Sequence, residues 1–171
     1  VAGAFQPQPA SPVDCRYFSG APFLFGDGSV MKFSAVPVNA SAEPQPNVAD
    51  PNYLRNALIK RLAVHESNKP VVFKFQVQLR DASSLNVAED IENVCNEWPE
   101  SKFEFVTVAT LTIPPQEFDS PERRAACENL FFTPWHGVAE HRPLGGINRM
   151  RRAVYDASSS FRHQPKEPAG K

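Results

Sequence analysis

Between Val71 and Leu79 the chain alternates cleanly. Val71, Phe73, Phe75, Val77 and Leu79 form one set, and Val72, Lys74, Gln76 and Gln78 form the other. Successive strand residues point to opposite faces, so this period of two predicts a half-buried strand with the odd positions inward. Val30–Val38 reads the same way, with Val30, Lys32 and Ser34 on one face and Met31, Phe33 and Ala35 on the other. Gly26-Asp27-Gly28-Ser29 just before it is a turn signal, which joins the stretch Cys15–Phe25 to Val30–Val38 as a hairpin. Phe103–Ile113 predicts a further strand, with Phe103, Phe105, Thr107, Ala109 and Leu111 sharing a face and Pro114-Pro115 stopping it.

Three stretches follow the helical period instead. Leu54, Leu58 and Leu62 recur every fourth residue, with Arg55, Lys60 and Arg61 off that stripe. This predicts an amphipathic helix capped by Asp50, opened by Pro51 and running to about Val64. Asp119 or Ser120 caps a second, with Pro121 first, Glu122 in the first turn, and Ala125, Cys127, Leu130 and Phe131 as packing residues. Ile147–Arg162 predicts a third, of about four turns. Gly145-Gly146 gives the tight turn that precedes it.

The connections set the domain limits. Residues 1–15, rich in Pro, Ala and Gln, read as an extended arm, 16–163 as the folded portion and 164–171 as a loose tail. Asn39–Val48 and His65–Pro70 read as loops, and Arg80–Glu100 as a long acidic connection ending in Trp98-Pro99.

Composition narrows the function classes. The 171 residues suffice for one domain with a real core, and 42% hydrophobic with 22% charged is ordinary for a globular chain. The 13 phenylalanines and 17 prolines fit short elements and many loops. A net charge of −1 argues against bulk nucleic-acid binding, although His141–Lys171 carries seven Arg or Lys against two acids. A nucleic-acid-binding tail is therefore the weakest reading of that surplus. Cys15, Cys95 and Cys127 show no zinc or redox spacing, which points to neither a disulfide framework nor a structural metal and favours a reducing, cytoplasmic compartment. No apolar run of about 18 residues occurs, so no transmembrane segment is expected. A chain opening on Val1 reads as one whose leader was removed or as a portion of something longer.

No Gly-rich phosphate loop, metalloprotease or esterase motif is present. The specific signal lies in the last helix, where Arg151, Tyr155 and Arg162 stand at i, i+4 and i+11 on one face. A guanidinium one turn before a tyrosine places fixed positive charge against the phenol oxygen and favours its anionic form. A phenolate is a hard anionic ligand suited to ferric haem iron. A second arginine two turns on could pair with a haem carboxylate. The plain alternative is an amphipathic basic helix with solvated arginines and a half-packed tyrosine.

The pattern Arg151, Tyr155, Arg162, set in PWHGVAEHRPLGGINRMRRAVYDASSSFRH, resembles the proximal haem helix of the haem catalase superfamily, and within it the small catalase-like haem proteins. YFSGAPFLFGDGSVMKFSAVP and the acidic stretch ending in Trp98-Pro99 are similar to further segments of that family. The resemblance runs from about Tyr17 to about His163 and covers only the second half of a catalase-like protein. It implies an α+β fold in which an antiparallel sheet forms part of a catalase-type β-barrel, with flanking helices. It implies haem b with ferric iron ligated by Tyr155, held by Arg151 and Arg162, with Phe132 and Pro134 near the pocket. The family's distal histidine and asparagine have no counterpart, since His65, His136, His141 and His163 match other segments. The expected function is therefore a haem-dependent oxidoreductase acting on hydrogen peroxide or an organic hydroperoxide. No residue of this chain is assigned to the catalytic step. About four strands are too few for a closed barrel, so the expected partner is a complementary N-terminal polypeptide or a homo-oligomer. The alternative is a non-catalytic haem-binding or structural module.

Overall fold

The computed structural model describes residues 9–40, 49–65 and 68–163. The first eight residues of the expected arm, most of the Asn39–Val48 loop and the 164–171 tail lie outside them. The elements are β1 (Tyr17–Phe18), β2 (Phe23–Leu24), β3 (Ser29–Pro37), α1 (Tyr53–Leu62), β4 (Val71–Asp81), β5 (Phe105–Ile113), α2 (Pro121–Glu128) and α3 (Gly145–Arg162). An α+β chain results. Its five-stranded sheet runs β1-β3-β4-β5, with β2 also paired to β3, and is not closed into a barrel among the described residues. The predicted hairpin is present as two short antiparallel pairings, Tyr17↔Ala35 with Phe18↔Ser34 and Phe23↔Met31 with Leu24↔Val30. Gly26 and Gly28 carry the positive φ angles, 63° and 85°, that turn the chain between β2 and β3. No helix among the described residues is long and apolar enough to cross a membrane.

The chain divides into two compact units built from alternating segments, and β3, β4 and β5 each contribute residues to both. The first unit holds Val13, Leu62, Val71 and Phe73 as its core, with Ala35, Leu58, Ile113 and Phe118 packed around them. Residues 9–15 of the arm are thus not free, because Pro12–Asp14 form a 3₁₀ turn that buries Val13. Ser34 is fully buried and accepts from Arg16 Nε at 2.9 Å. At the start of α1, Asp50 accepts from Asn52 N at 2.8 Å and from Asn56 Nδ2 at 3.0 Å. It therefore shapes the turn before the helix, and Asn52 holds the cap position itself. α1 stops at Leu62 rather than Val64, and Leu62 is the member of the leucine stripe that is fully covered. Arg55, on the polar side, grips Asp119 through contacts of 2.7 and 2.9 Å.

The second unit packs Val30, Ile91 and Trp98 with Leu85, Phe103 and Leu144. Here the alternation expected along β4 fails. Gln78 is 2% exposed and Leu79 39% exposed, the reverse of the predicted order. Gln78 is drawn in because its amide nitrogen donates to the carbonyls of Trp98 (2.8 Å) and Phe103 (2.6 Å). A buried amide is tolerated when its bonds are made. Phe103 accordingly sits in the bend before β5 instead of opening the strand. Lys32 and Arg80 stand over the Trp98 ring at 4.7 and 5.2 Å. Burial, then the charge of Arg80, lowers the ammonium pKa of Lys32. The acidic connection is not featureless. Val87–Glu92 form one turn of π-helix, and the buried Asp90 within it pairs with Arg80 while accepting from Asn86 N (2.9 Å) and Asn96 Nδ2 (3.0 Å).

Two packing expectations need correcting. α2 buries none of its residues, and Ala125, Cys127 and Leu130 all stay exposed. Ser120 does cap it, accepting from Arg123 N at 3.2 Å. Among the described residues β5 ends the sheet and is half-buried only at its two ends, Phe105 and Ile113: Val106–Thr112 are exposed throughout, with Val106 at 55%, Val108 at 49% and Leu111 at 53%. Alternation alone says that one face differs from the other; it does not say that either is covered.

Candidate functional site

α3 begins two residues earlier than the sequence predicts, because the glycine pair forms its first turn rather than the turn before it. Gly145 has φ +81°, and a Cβ there would lie 2.5 Å from the Ile91 carbonyl oxygen. Only glycine meets both conditions. Glu92 supplies what the helix start lacks. Its carboxylate accepts from Gly146 N at 2.7 Å and from both terminal nitrogens of Arg149 at 3.0 Å. An acidic group at a helix N-terminus is favoured by the unpaired amides and the dipole there. The Arg149 guanidinium, helped by the Gly146 amide, holds the Glu92 carboxyl below its ordinary range.

One turn on, Asn148 is wholly buried, with Nδ2 donating to Leu144 O (2.9 Å) and Pro22 O (3.1 Å). Its Oδ1 accepts from Arg151 Nη1 at 3.3 Å. Arg151 Nη2 in turn donates to Tyr155 Oη at 3.3 Å. Both guanidinium contacts lie at the long end of the hydrogen-bond range. The guanidinium carbon stands 5.4 Å from the centroid of the Tyr155 ring. The one-turn spacing thus produces the arginine–phenol contact that the helical period demands.

Tyr155 lines an open cavity of about 370 Å³. Phe131, Phe132 and Val154 form its apolar wall, and Ser158, Ser159 and Arg162 its polar side. Arg162 is anchored by Nη2 donating to Leu130 O at 2.9 Å. Of the residues predicted for the site, Tyr155, Arg162 and Phe132 share this cavity and Arg151 touches Tyr155 from behind. Pro134 is not among the lining residues. Phe131, assigned from sequence to α2 packing, instead faces the cavity. Ser158 and Ser159 could have been found from the helical period, being three and four positions from Tyr155, and so could Val154, being three from Arg151 and four from Ser158. Asn148 could not, since nothing in the string marks it as buried. No histidine lines the cavity among the described residues. His163 reaches Ser159 Oγ at 3.2 Å, and His136 packs edge-on against Phe131. No group of three or more His, Cys, Asp or Glu placed to hold a metal ion occurs among the described residues.

Two apolar residues of the cavity lining are also exposed, Phe132 at 68% and Val154 at 55%. Exposed apolar residues gathered in one place mark a binding surface more often than scattered ones do.

No protein-family model matches the chain, and no curated protein matches it. Among solved structures, one described as the structure of a bacterial catalase is similar, with a TM-score of 0.65 and 11% sequence identity. The match covers 96% of this chain and 34% of the catalase. The chain therefore has a catalase-like fold and spans about a third of that protein's length.

Proposed function

We propose that this chain supplies the proximal side of the haem pocket of a catalase-type oxidoreductase, as the C-terminal portion of a divided or longer protein. The observation that carries the reading is the Arg151–Tyr155 contact at 3.3 Å on a cavity with aromatic walls and Arg162 along its polar side. The donor set fits the group. A phenol backed by a fixed cation suits ferric iron, aromatic and aliphatic side chains suit a porphyrin edge, and a second arginine suits a propionate. Ferric haem b, when bound, supplies the redox chemistry toward hydrogen peroxide or an organic hydroperoxide. This chain's own residues would ligate and orient it. Tyr155 would be the ligand, Arg151 would orient its oxygen, and Arg162 and Phe132 would fix the ring's position.

The peroxide-handling face would come from a complementary N-terminal polypeptide. One observation supports such a partner: among the described residues, β5 stands exposed at the end of the sheet. A strand at the end of a sheet is a template for another strand. In this reading the sheet is one portion of a catalase-type barrel. The second reading is a haem-binding or structural module without turnover, built on the same cavity.

Haemin titration of the chain tests the proposal. A Soret band with a phenolate-to-iron charge-transfer feature is expected for the unaltered chain. Tyr155→Phe should abolish that feature, and Arg151→Ala should weaken it. Spectra unchanged in both variants would sink the assignment. Oxygen release from peroxide, assayed with and without the complementary polypeptide, then separates enzyme from module.

A further inference from the structure

Asn148 is fully buried in a helix that otherwise covers only Gly145 and Ser159. A primary amide brings two N–H donors and one carbonyl oxygen, and in a buried site each requires a partner. All are spent here. Nδ2 donates to Pro22 O and Leu144 O, and Oδ1 accepts from Arg151 Nη1. The backbone carbonyl of Asn148 also accepts from Trp135 Nε1 at 2.9 Å. These partners fix which way the amide faces. Turned over, its oxygen would meet two carbonyls and its nitrogen a guanidinium, so every pairing would become repulsive. Oδ1 is therefore held toward Arg151, and the guanidinium is gripped at two points, Asn148 on Nη1 and Tyr155 on Nη2. A planar fork held at two points has a defined orientation.

From this geometry we infer that Asn148 is a positioning residue: it aims Arg151 at the Tyr155 oxygen by tying it to the backbone of the Pro22 and Leu144 segments. The consequence for haem ligation rests on the function proposed above; the aiming of Arg151 does not. Residues behind a metal ligand set its orientation, and losing one commonly weakens metal affinity by 10–100-fold.

The test uses the full 171-residue chain without haem first. Nitrogen-15 NMR of labelled arginine side chains should show a slowly rotating Arg151 guanidinium, identified by its loss in Arg151→Lys. Asn148→Ala should return that signal to fast averaging. Trp135→Phe removes the bond to the Asn148 backbone and alters the ring beneath Arg152 but touches neither the contact of the Asn148 side chain with Arg151 nor that of Arg151 with Tyr155, so it should leave the signal in place while lowering stability. A fast-averaging Arg151 in the unaltered chain would overturn the inference, and so would a slow one in Asn148→Ala. Should Asn148→Ala fail to fold, the unaltered chain decides, since a fast-averaging Arg151 there overturns the inference by itself. With haemin added, Asn148→Ala should bind on the order of tenfold more weakly with a diminished charge-transfer band. If Tyr155→Phe binds haemin like the unaltered chain, the haem reading fails while the NMR arm still decides the role of Asn148.

Discussion

Glu92 and Arg149 lie 57 positions apart and meet through two hydrogen bonds of 3.0 Å. The same carboxylate takes the Gly146 amide, so one side chain of the acidic connection seats the first turn of the helix that carries Tyr155. The pair is exposed, at 62% for the Arg149 side chain and 38% for that of Glu92. Exposed ion pairs contribute little to stability by themselves, so its part is to fix where α3 begins.

Acid should loosen this arrangement. Asp90 is held below the ordinary carboxyl range chiefly by its hydrogen bond from Arg80, and Glu92 chiefly by that from Arg149. A carboxyl depressed in the folded state stabilises above its unfolded pKa and loses that contribution as pH falls through the folded one. Thermal melts should therefore shift downward below about pH 4, near the ordinary Asp and Glu values. Asp90→Asn with Glu92→Gln should flatten that slope while lowering the neutral melting temperature. An equally steep acid slope in the double variant would refute the account. Asp90 should matter more than Glu92, because it is buried and the other is not.

Gly145→Ala should destabilise by about 1–3 kcal/mol, the usual cost of forcing a side chain into a strained backbone region. Its added carbon would also crowd the Ile91 carbonyl. Gly137→Ala is the matched control, since a Cβ there meets nothing within 4 Å, and should stay within about 0.5 kcal/mol. Urea denaturation compares the two. Equal effects would remove the special role given to Gly145.

Val108→Lys probes the exposed strand. Val108 is 49% exposed on β5, and an edge lysine discourages pairing with another strand. Without a partner the unaltered chain should self-associate at raised concentration, and the variant should do so less at an unchanged melting temperature. Light scattering measures this. Identical scattering from both would show that β5 is not an open template.

Sequence periodicity and local chemistry settle much of this chain. Arg151 reaches Tyr155 because residues one helical turn apart are neighbours whatever surrounds them. Gly26 and Gly28 turn the hairpin because few other residues adopt their φ angles. Ser120 followed by Pro121 starts α2 because its hydroxyl satisfies a free amide. Tertiary structure decided the rest. Gln78 rather than Leu79 is covered because distant carbonyls from Trp98 and Phe103 come to its amide. Phe131 lines the cavity instead of packing under α2 because that helix buries none of its residues. Asn148 is buried by Pro22, 126 positions away. Periodicity says which residues share a face. What lies against that face depends on segments remote along the chain, and no local pattern encodes their arrival.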